Sequence, residues 1–203
     1  MIAKQCSTTF PCESKGLLIA HLNVQGLLSK IDQIHHLITT NSIKIMLCSE
    51  TFISRHTPTS PINLTDYLTI RKDRPNRKGG GVLMFLHKTV NFSHLPHLEN
   101  LLPEAIVIKV TPQHAKPFLL LNIYRPPNTK VQWFDQAYTL MQACLQECSE
   151  TIAMGDFNLD YGVDSTKIPR KWSNICTEYN LNQLITLPTR LSVNRESILD
   201  HIY

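Results

Sequence analysis

The chain has 203 residues, 42% of them hydrophobic and 18% charged, with a formal net charge of +4. That length supports one domain with a substantial core, and the composition excludes a low-complexity or repeat protein. The mild positive charge is compatible with a polyanionic partner without arguing for one. The apolar runs are too short to span a bilayer, no secretory segment follows Met1, and Cys6, Cys12, Cys48, Cys144, Cys148 and Cys176 show no Cys-x-x-Cys pair. A soluble, intracellular protein with free thiols, no disulfides and no membrane partner is expected.

Residues 1–14 are polar and irregular and read as a lead-in to a domain over 15–203. Leu17 to Leu22 is an apolar run that stops at Asn23, and a helical pattern follows through Leu27, Ile31, Ile34 and Ile38. Ile43 to Cys48 is the next strand, stopping at Ser49-Glu50-Thr51. A long connection from Phe52 to Asp66 leads to a short strand at Tyr67 to Ile70. The most basic window of the chain, Arg71 to Lys78, then runs into Gly79-Gly80-Gly81 and a strand at Val82 to Leu86, which predicts a hairpin with a basic, mobile tip. Glu104 to Val110 and Phe118 to Tyr124 form a second hairpin-like pair, ended by Arg125-Pro126-Pro127 because proline cannot donate to a ladder. A helix is predicted from about Val131 to Cys148, a strand over Thr151 to Met154, and a helix near Pro169 to Tyr179 that buries Trp172, Ile175, Cys176 and Tyr179. Leu181 to Leu187 is apolar, and Ile198 to Tyr203 begins a strand. Hairpins mixed with strand–helix–strand units fit a layered α/β domain and not a purely parallel sheet.

Four of these apolar runs end in polar residues: Asn23, Glu50, Tyr124, and Asp156 with Asn158 in Gly155-Asp156-Phe157-Asn158. Ligand sites in layered α/β folds gather at the carboxyl ends of strands. Taken singly, each residue has a plainer reading: Asn23 as a helix cap, Glu50 as the start of a loop, Tyr124 as a core aromatic, Asp156 as a turn residue. Together they fit phosphodiester hydrolysis. Glu50, helped by Asn23, can hold a hard divalent ion, Mg²⁺ or alternatively Mn²⁺. Asp156 can orient and deprotonate an attacking water, Asn158 can fix the phosphate or that carboxylate, and Tyr124 can donate to a phosphate oxygen.

These residues resemble the endonuclease/exonuclease/phosphatase (DNase I-like) superfamily. Within it the sequence most resembles the endonuclease domain of non-LTR (LINE-type) retrotransposons. The likeness is carried by Leu22-Asn23-Val24-Gln25-Gly26, Ser49-Glu50-Thr51, Lys78 to Val82, Asn122 to Asn128, Gly155 to Asn158, Pro188-Thr189-Arg190 and Ser197 to Ile202. It implies a four-layer α/β sandwich, two packed mixed sheets flanked by helices. It also implies nicking of one DNA strand to leave a 3′-hydroxyl for target-primed reverse transcription, with a reverse transcriptase domain as partner in the intact element and the nucleus as place of action. By family pattern Asn23 and Glu50 serve the metal, Tyr124, Asn158 and Thr189 the phosphate, and Asp156 the water. Asp200 pairs with a histidine that contacts the scissile phosphate. Arg125 and Arg190, beside these positions, are further candidates for phosphate contact. Asn128 and the basic residues Arg74, Arg77 and Lys78 complete the expected substrate-binding set.

The family's histidine lies in a Ser-Asp-His motif, which does not occur here. His201 follows Asp200 on one strand, so its side chain is expected on the opposite face. A domain incomplete at its C-terminus, with its activity in doubt, is the expectation. The competing functions are a phosphodiesterase or phosphatase acting on inositol or lipid phosphates, and a non-catalytic retrotransposon remnant.

Overall fold

The computed structural model describes residues 16–75, 79–162, 168–192 and 195–203. Arg77, Lys78, Cys6, Cys12 and the lead at 1–14 lie outside the described residues. Two mixed sheets pack face to face. The first contains β1 (Ile19–Asn23), β2 (Ile45–Ser49), β3 (Tyr67–Lys72) and β4 (Val82–His87) in the order β1-β2-β4-β3. The second contains β5 (Phe92–His94), β6 (Ala105–Val110), β7 (Phe118–Tyr124), β8 (Thr151–Asp156) and β11 (Asp200–Ile202), ordered β11-β8-β7-β6-β5. A small separate ribbon pairs β9 (Arg190–Ser192) with β10 (Arg195–Ser197). Helix α1 (Ile31–Thr40) joins the parallel pair β1 and β2, and α3 (Gln132–Glu147) joins the parallel pair β7 and β8. A four-residue helix α2 (Pro96–Glu99) precedes β6, and α4 (Arg170–Glu178) follows β8.

Side-chain alternation explains the layering. In β2, Ile45 and Leu47 face the second sheet while Met46 and Cys48 face α1; in β4, Val82, Met84 and Leu86 face inward while Leu83 and Phe85 face α1. In β6 and β7, Ile106, Ile108 and Leu120 join the layer between the sheets, while Val107, Leu121 and Ile123 pack on α3 and α4. The result is helix, sheet, sheet, helix, as the resemblance implied. One polar side chain crosses the middle. Asn122 is fully buried, and its Nδ2 donates to the Cys48 and Leu83 carbonyls of the other sheet, each at 3.0 Å.

The elements not foreseen are short ones: β5, α2, β9 and β10 hold three or four residues each, too few for a periodic pattern. The helix expected from Leu27 opens with a 3₁₀ turn at Leu28–Lys30 and becomes α-helical only at Ile31. The basic window also differs. The β3–β4 hairpin forms, but the described part of its tip is pinned. Arg71 donates to the Thr57 carbonyl and faces Asp73, and Lys72 Nζ donates to the Glu99, Leu102 and Ala105 carbonyls. Arg74 pairs with Glu104.

His201 closes a buried hydrogen-bond chain on the helix side of the second sheet. Trp172 Nε1 donates to the Tyr203 hydroxyl (2.8 Å), which lies 3.1 Å from His201 Nδ1, and His201 Nε2 lies 2.8 Å from the Leu159 carbonyl. Its ring stacks on Phe157 at 5.1 Å. Every ring nitrogen is satisfied in the neutral form, and burial pushes the imidazole down from 6.5 to about 4. The unfolded chain therefore binds a proton that the folded chain refuses between those values, and stability falls as pH drops through that window. A loss of about 2 kcal/mol between pH 7 and pH 5 is expected from this group. Urea unfolding at the two pH values checks it: His201→Gln should shrink the pH-dependent loss by about 2 kcal/mol, and an undiminished loss refutes the assignment. Acid sensitivity that remains belongs in part to His21, which burial lowers to about 3.

Candidate active site

Five strand ends meet at one edge of the layer between the sheets. Asn23 ends β1, Glu50 follows β2, Tyr124 ends β7 and Asp156 ends β8. Because β11 runs antiparallel to β8, its first residue, Asp200, sits opposite Asp156. Alternation puts Ile19, His21 and Asn23 on one face of β1, and Met154 with Asp156 on one face of β8. Ile19 and Met154 lie in the inter-sheet layer, so the polar residues at the strand ends form its rim.

The Asn23 amide ties the two sheets together there. Its Nδ2 donates to Glu50 Oε1 at 2.9 Å and to Asp156 Oδ2 at 2.7 Å, while its Oδ1 accepts the Gln25 N–H at 3.2 Å. Asn23 thus spaces two carboxylates. Asp156 is buried, and its Oδ1 accepts the Asn158 N–H at 2.9 Å. Asn158 takes a left-handed φ of 47° and donates its side-chain amide to the Arg125 carbonyl at 2.8 Å, locking the turn to the end of β7. Burial, then the charges of Asp200 and Glu50, push the Asp156 carboxyl up to about 7 against the pull of its two donors. Tyr124 keeps its proton: burial first, then the charge and hydrogen bond of Glu50, push its phenol upward.

Asp200 is held by Thr189, whose hydroxyl accepts the Leu199 and Asp200 N–H groups at 3.1 Å each. Its Oδ1 is buried and accepts no hydrogen bond from the described residues. His21 stands beside it from the other sheet, its Nδ1 3.4 Å from that oxygen and its Nε2 3.2 Å from Ser49 Oγ. His21 was not foreseen; the signal was its place two residues before Asn23 on an alternating strand. Arg190 lines the same recess; burial raises the Asp200 carboxyl, and the Thr189 hydrogen bond and, more weakly, the Arg190 charge pull against it.

Arg125 departs from expectation. Its guanidinium is buried, lies 5.6 Å and 5.2 Å from the ring centres of Trp133 and Phe134, and donates to the Phe157 and Asn158 carbonyls. It braces the Asp156 turn from behind and is not presented to a phosphate. Arg74, paired with Glu104, lies 5.8 Å from the Tyr124 ring centre, and it lines a second recess with Asn128 beside Glu50.

Gly155 has no room for a side chain. A Cβ there would collide with the Ile123 carbonyl oxygen across the parallel β7–β8 pair. Gly155→Ala must move β8 and with it Asp156. A loss of about 2–3 kcal/mol is expected. Thermal unfolding checks this, and a change below about 0.5 kcal/mol, the scale of an ordinary surface substitution, contradicts it.

The cluster suits a hard divalent cation. The charges of Asp200 and Glu50 help hold the Asp156 carboxyl up, and that of Glu50 helps hold up Asp200, so the three carboxyl groups crowd one rim. Among the described residues no three His, Cys, Asp or Glu side chains form a ready metal cage.

The sequence profile described as the endonuclease/exonuclease/phosphatase family matches residues 20–203. The chain belongs to that family. No curated protein shows significant sequence similarity to it. Among solved structures, the endonuclease domain of TRAS1, a telomere-specific non-LTR retrotransposon, is 13% identical with a TM-score of 0.69, covering 92% of this chain and 84% of that one. The 3′ phosphatase NExo from Neisseria, bound to product DNA hairpin, is 17% identical with a TM-score of 0.66 over 92% of this chain and 86% of that one. The AP endonuclease LMAP from Leishmania major is 9% identical with a TM-score of 0.71 over 91% and 77%. At these identities the likeness establishes the DNase I-like fold. The four described cysteines of this family member are free thiols, and none of its described helices is long and apolar enough to cross a membrane.

Proposed function

We propose that the chain is a divalent-metal-dependent phosphodiesterase that nicks one strand of DNA and leaves a 3′-hydroxyl. The observation that carries this reading is the Asn23 amide bonded at once to Glu50 and Asp156, carboxylates delivered by different sheets. Nothing in strand pairing requires that convergence, and the two groups suit different halves of an in-line hydrolysis.

Glu50 would be the principal ligand for Mg²⁺, which would polarise the phosphoryl oxygen and stabilise the leaving oxygen. Asp156, oriented by Asn23 and by the Asn158 N–H, accepts the proton of the attacking water as its oxygen bonds to phosphorus and the P–O3′ bond breaks. Tyr124, protonated, donates to a phosphate oxygen as charge develops. Asp200 and Thr189 form the wall facing Asp156, and His21 positions Asp200 from the opposite sheet. Arg190 is a phosphate contact at that wall, as is Asn128 in the neighbouring recess.

DNA as substrate is supported by the activities of the similar structures, an endonuclease domain, an AP endonuclease and a phosphatase bound to a DNA hairpin. Fold likeness alone leaves substrate open, so the test compares substrates directly. Supercoiled plasmid should be nicked with Mg²⁺ and not with EDTA, and the product should carry an extendable 3′-hydroxyl. Hydrolysis of inositol phosphates without plasmid nicking would replace the DNA reading, and failure on both would leave a non-catalytic member of the family.

A further inference from the structure

Phe52 stands two residues beyond Glu50 in a conformation that no core contact requires. Its φ is 55° and that of Glu50 is 52°, in the left-handed region that bulky residues rarely enter. The segment is held there from both sides. Gly26 N donates to the Glu50 carbonyl (2.8 Å) and Leu27 N to the Thr51 carbonyl (2.9 Å), while Thr51 N and Phe52 N donate to the Gly81 and Gly80 carbonyls at 3.3 Å and 3.0 Å. Thr51 and Ile53 on either side are buried, yet the Phe52 side chain stays 48% exposed. Glycines back its ring: a Cβ at Gly26 or Gly79 would already touch it, at 3.5 Å and 3.6 Å. Backbone strain that persists under such fixing is a mark of functional segments.

The exposed ring borders a cavity of about 610 Å³ that Glu50 and Tyr124 also line. Pro126, half-buried, and Pro127, exposed, line it too with their rigid rings. The exposed Lys130 adds positive charge, and Arg74, paired with Glu104, forms another part of the wall. That size lies within the range of small-ligand pockets. Aromatic and proline faces beside a phosphodiester site suit a flat π-system attached to an anion. Inositol and sugar phosphates offer no such face, and a nucleotide does.

We infer that Phe52, with Pro126 and Pro127, is a stacking site for a nucleobase adjoining the phosphodiester held at Glu50 and Tyr124. The inference rests on the phosphodiesterase reading above and adds a contact that reads the presence of a base without reading its identity, since every base has a π-face.

The test has a binding arm and a kinetic arm. In EDTA, where no cleavage occurs, the tryptophan emission of the Phe52→Trp protein should be quenched saturably by single-stranded oligonucleotide, with the unsubstituted protein as background. An oligonucleotide of abasic sugar phosphates should quench far less. In nicking assays Phe52→Ala should lower kcat/KM about tenfold, the scale of one lost base–aromatic stack, with its melting temperature unchanged. On duplexes carrying a single abasic nucleotide beside the nick, that loss should vanish at one flanking position. Phe52→Leu, which keeps apolar bulk without a π-face, should behave as Phe52→Ala. Full activity of the leucine variant would replace stacking by generic apolar contact and overturn the inference. Plasmid nicking that is indifferent to all three substitutions, with no quenching, would overturn it while the phosphodiesterase reading stands. Quenching by DNA in a protein that cuts nothing would sustain the stacking site and defeat the hydrolytic reading.

Discussion

Asp156→Asn should slow plasmid nicking by about a thousandfold while leaving a folded protein, the scale of losing a positioned general base. The geometry makes the substitution informative. Both oxygens of Asp156 accept from donors, the Asn158 N–H at one and the Asn23 amide at the other. An asparagine offers one acceptor, so its amide must face one of these donors, and the rearrangement costs about 1–3 kcal/mol of stability. The rate effect is larger than that and separable from it. Single-turnover nicking at saturating DNA isolates the chemical step, and urea unfolding measures the fold. A variant that nicks within tenfold of the unsubstituted protein would remove Asp156 from the water-activating role. Asp156→Ala, which empties the position, should fall at least as far.

The sheet-forming strands longer than three residues and the larger helices were legible because each is long enough to show its period, and the candidate site because apolar strands here stop abruptly at single polar residues. Asn23, Glu50, Tyr124 and Asp156 stand out against Leu22, Cys48, Ile123 and Met154 for that reason. Other features depend on what lies across a gap in sequence. Arg125 follows Tyr124 directly and looked like a phosphate ligand, but the strand reverses its face at each residue. The side chain consequently enters the Trp133 and Phe134 cluster. Lys72 and Arg74 read as a solvated tip until Glu99, Leu102, Ala105 and Glu104 are brought beside them by the second sheet. His21 is the converse case: a histidine within an apolar strand has a plain core reading, and only the approach of Asp200, distant in sequence, gives it another. Phe52 carried no signal, because an exposed aromatic after a strand is unremarkable until its φ and the four backbone hydrogen bonds that fix Glu50, Thr51 and Phe52 are known. The Gly79-Gly80-Gly81 run, read as loop punctuation, supplies half of that frame.

Glu50→Gln should raise the Mg²⁺ concentration for half-maximal nicking by about tenfold or more, the loss expected when a metal site's ordering is disturbed, and lower the rate at saturating metal as well. The substitution keeps the shape of the side chain and can keep the hydrogen bond from Asn23, since a carboxamide oxygen still accepts. What it removes is a formal charge. Three effects follow at once. The cluster becomes less negative, so its attraction for a divalent cation falls. Asp156 loses one of the charges that push its carboxyl upward, so its affinity for protons falls. Tyr124 loses the charge partner that helps hold its proton. The first effect weakens metal binding, and the second makes Asp156 a weaker base, so both act against the reaction. Mn²⁺ should rescue part of the loss, because it binds a given oxygen site more tightly than the harder, strongly hydrated Mg²⁺. Calorimetric titration with Mn²⁺ in the absence of DNA reads the binding defect independently of turnover. If Glu50→Gln leaves both the calorimetric affinity and the metal dependence of nicking unchanged, Glu50 is not the metal ligand. Its bond to Asn23 would then serve only to hold Asp156 in place.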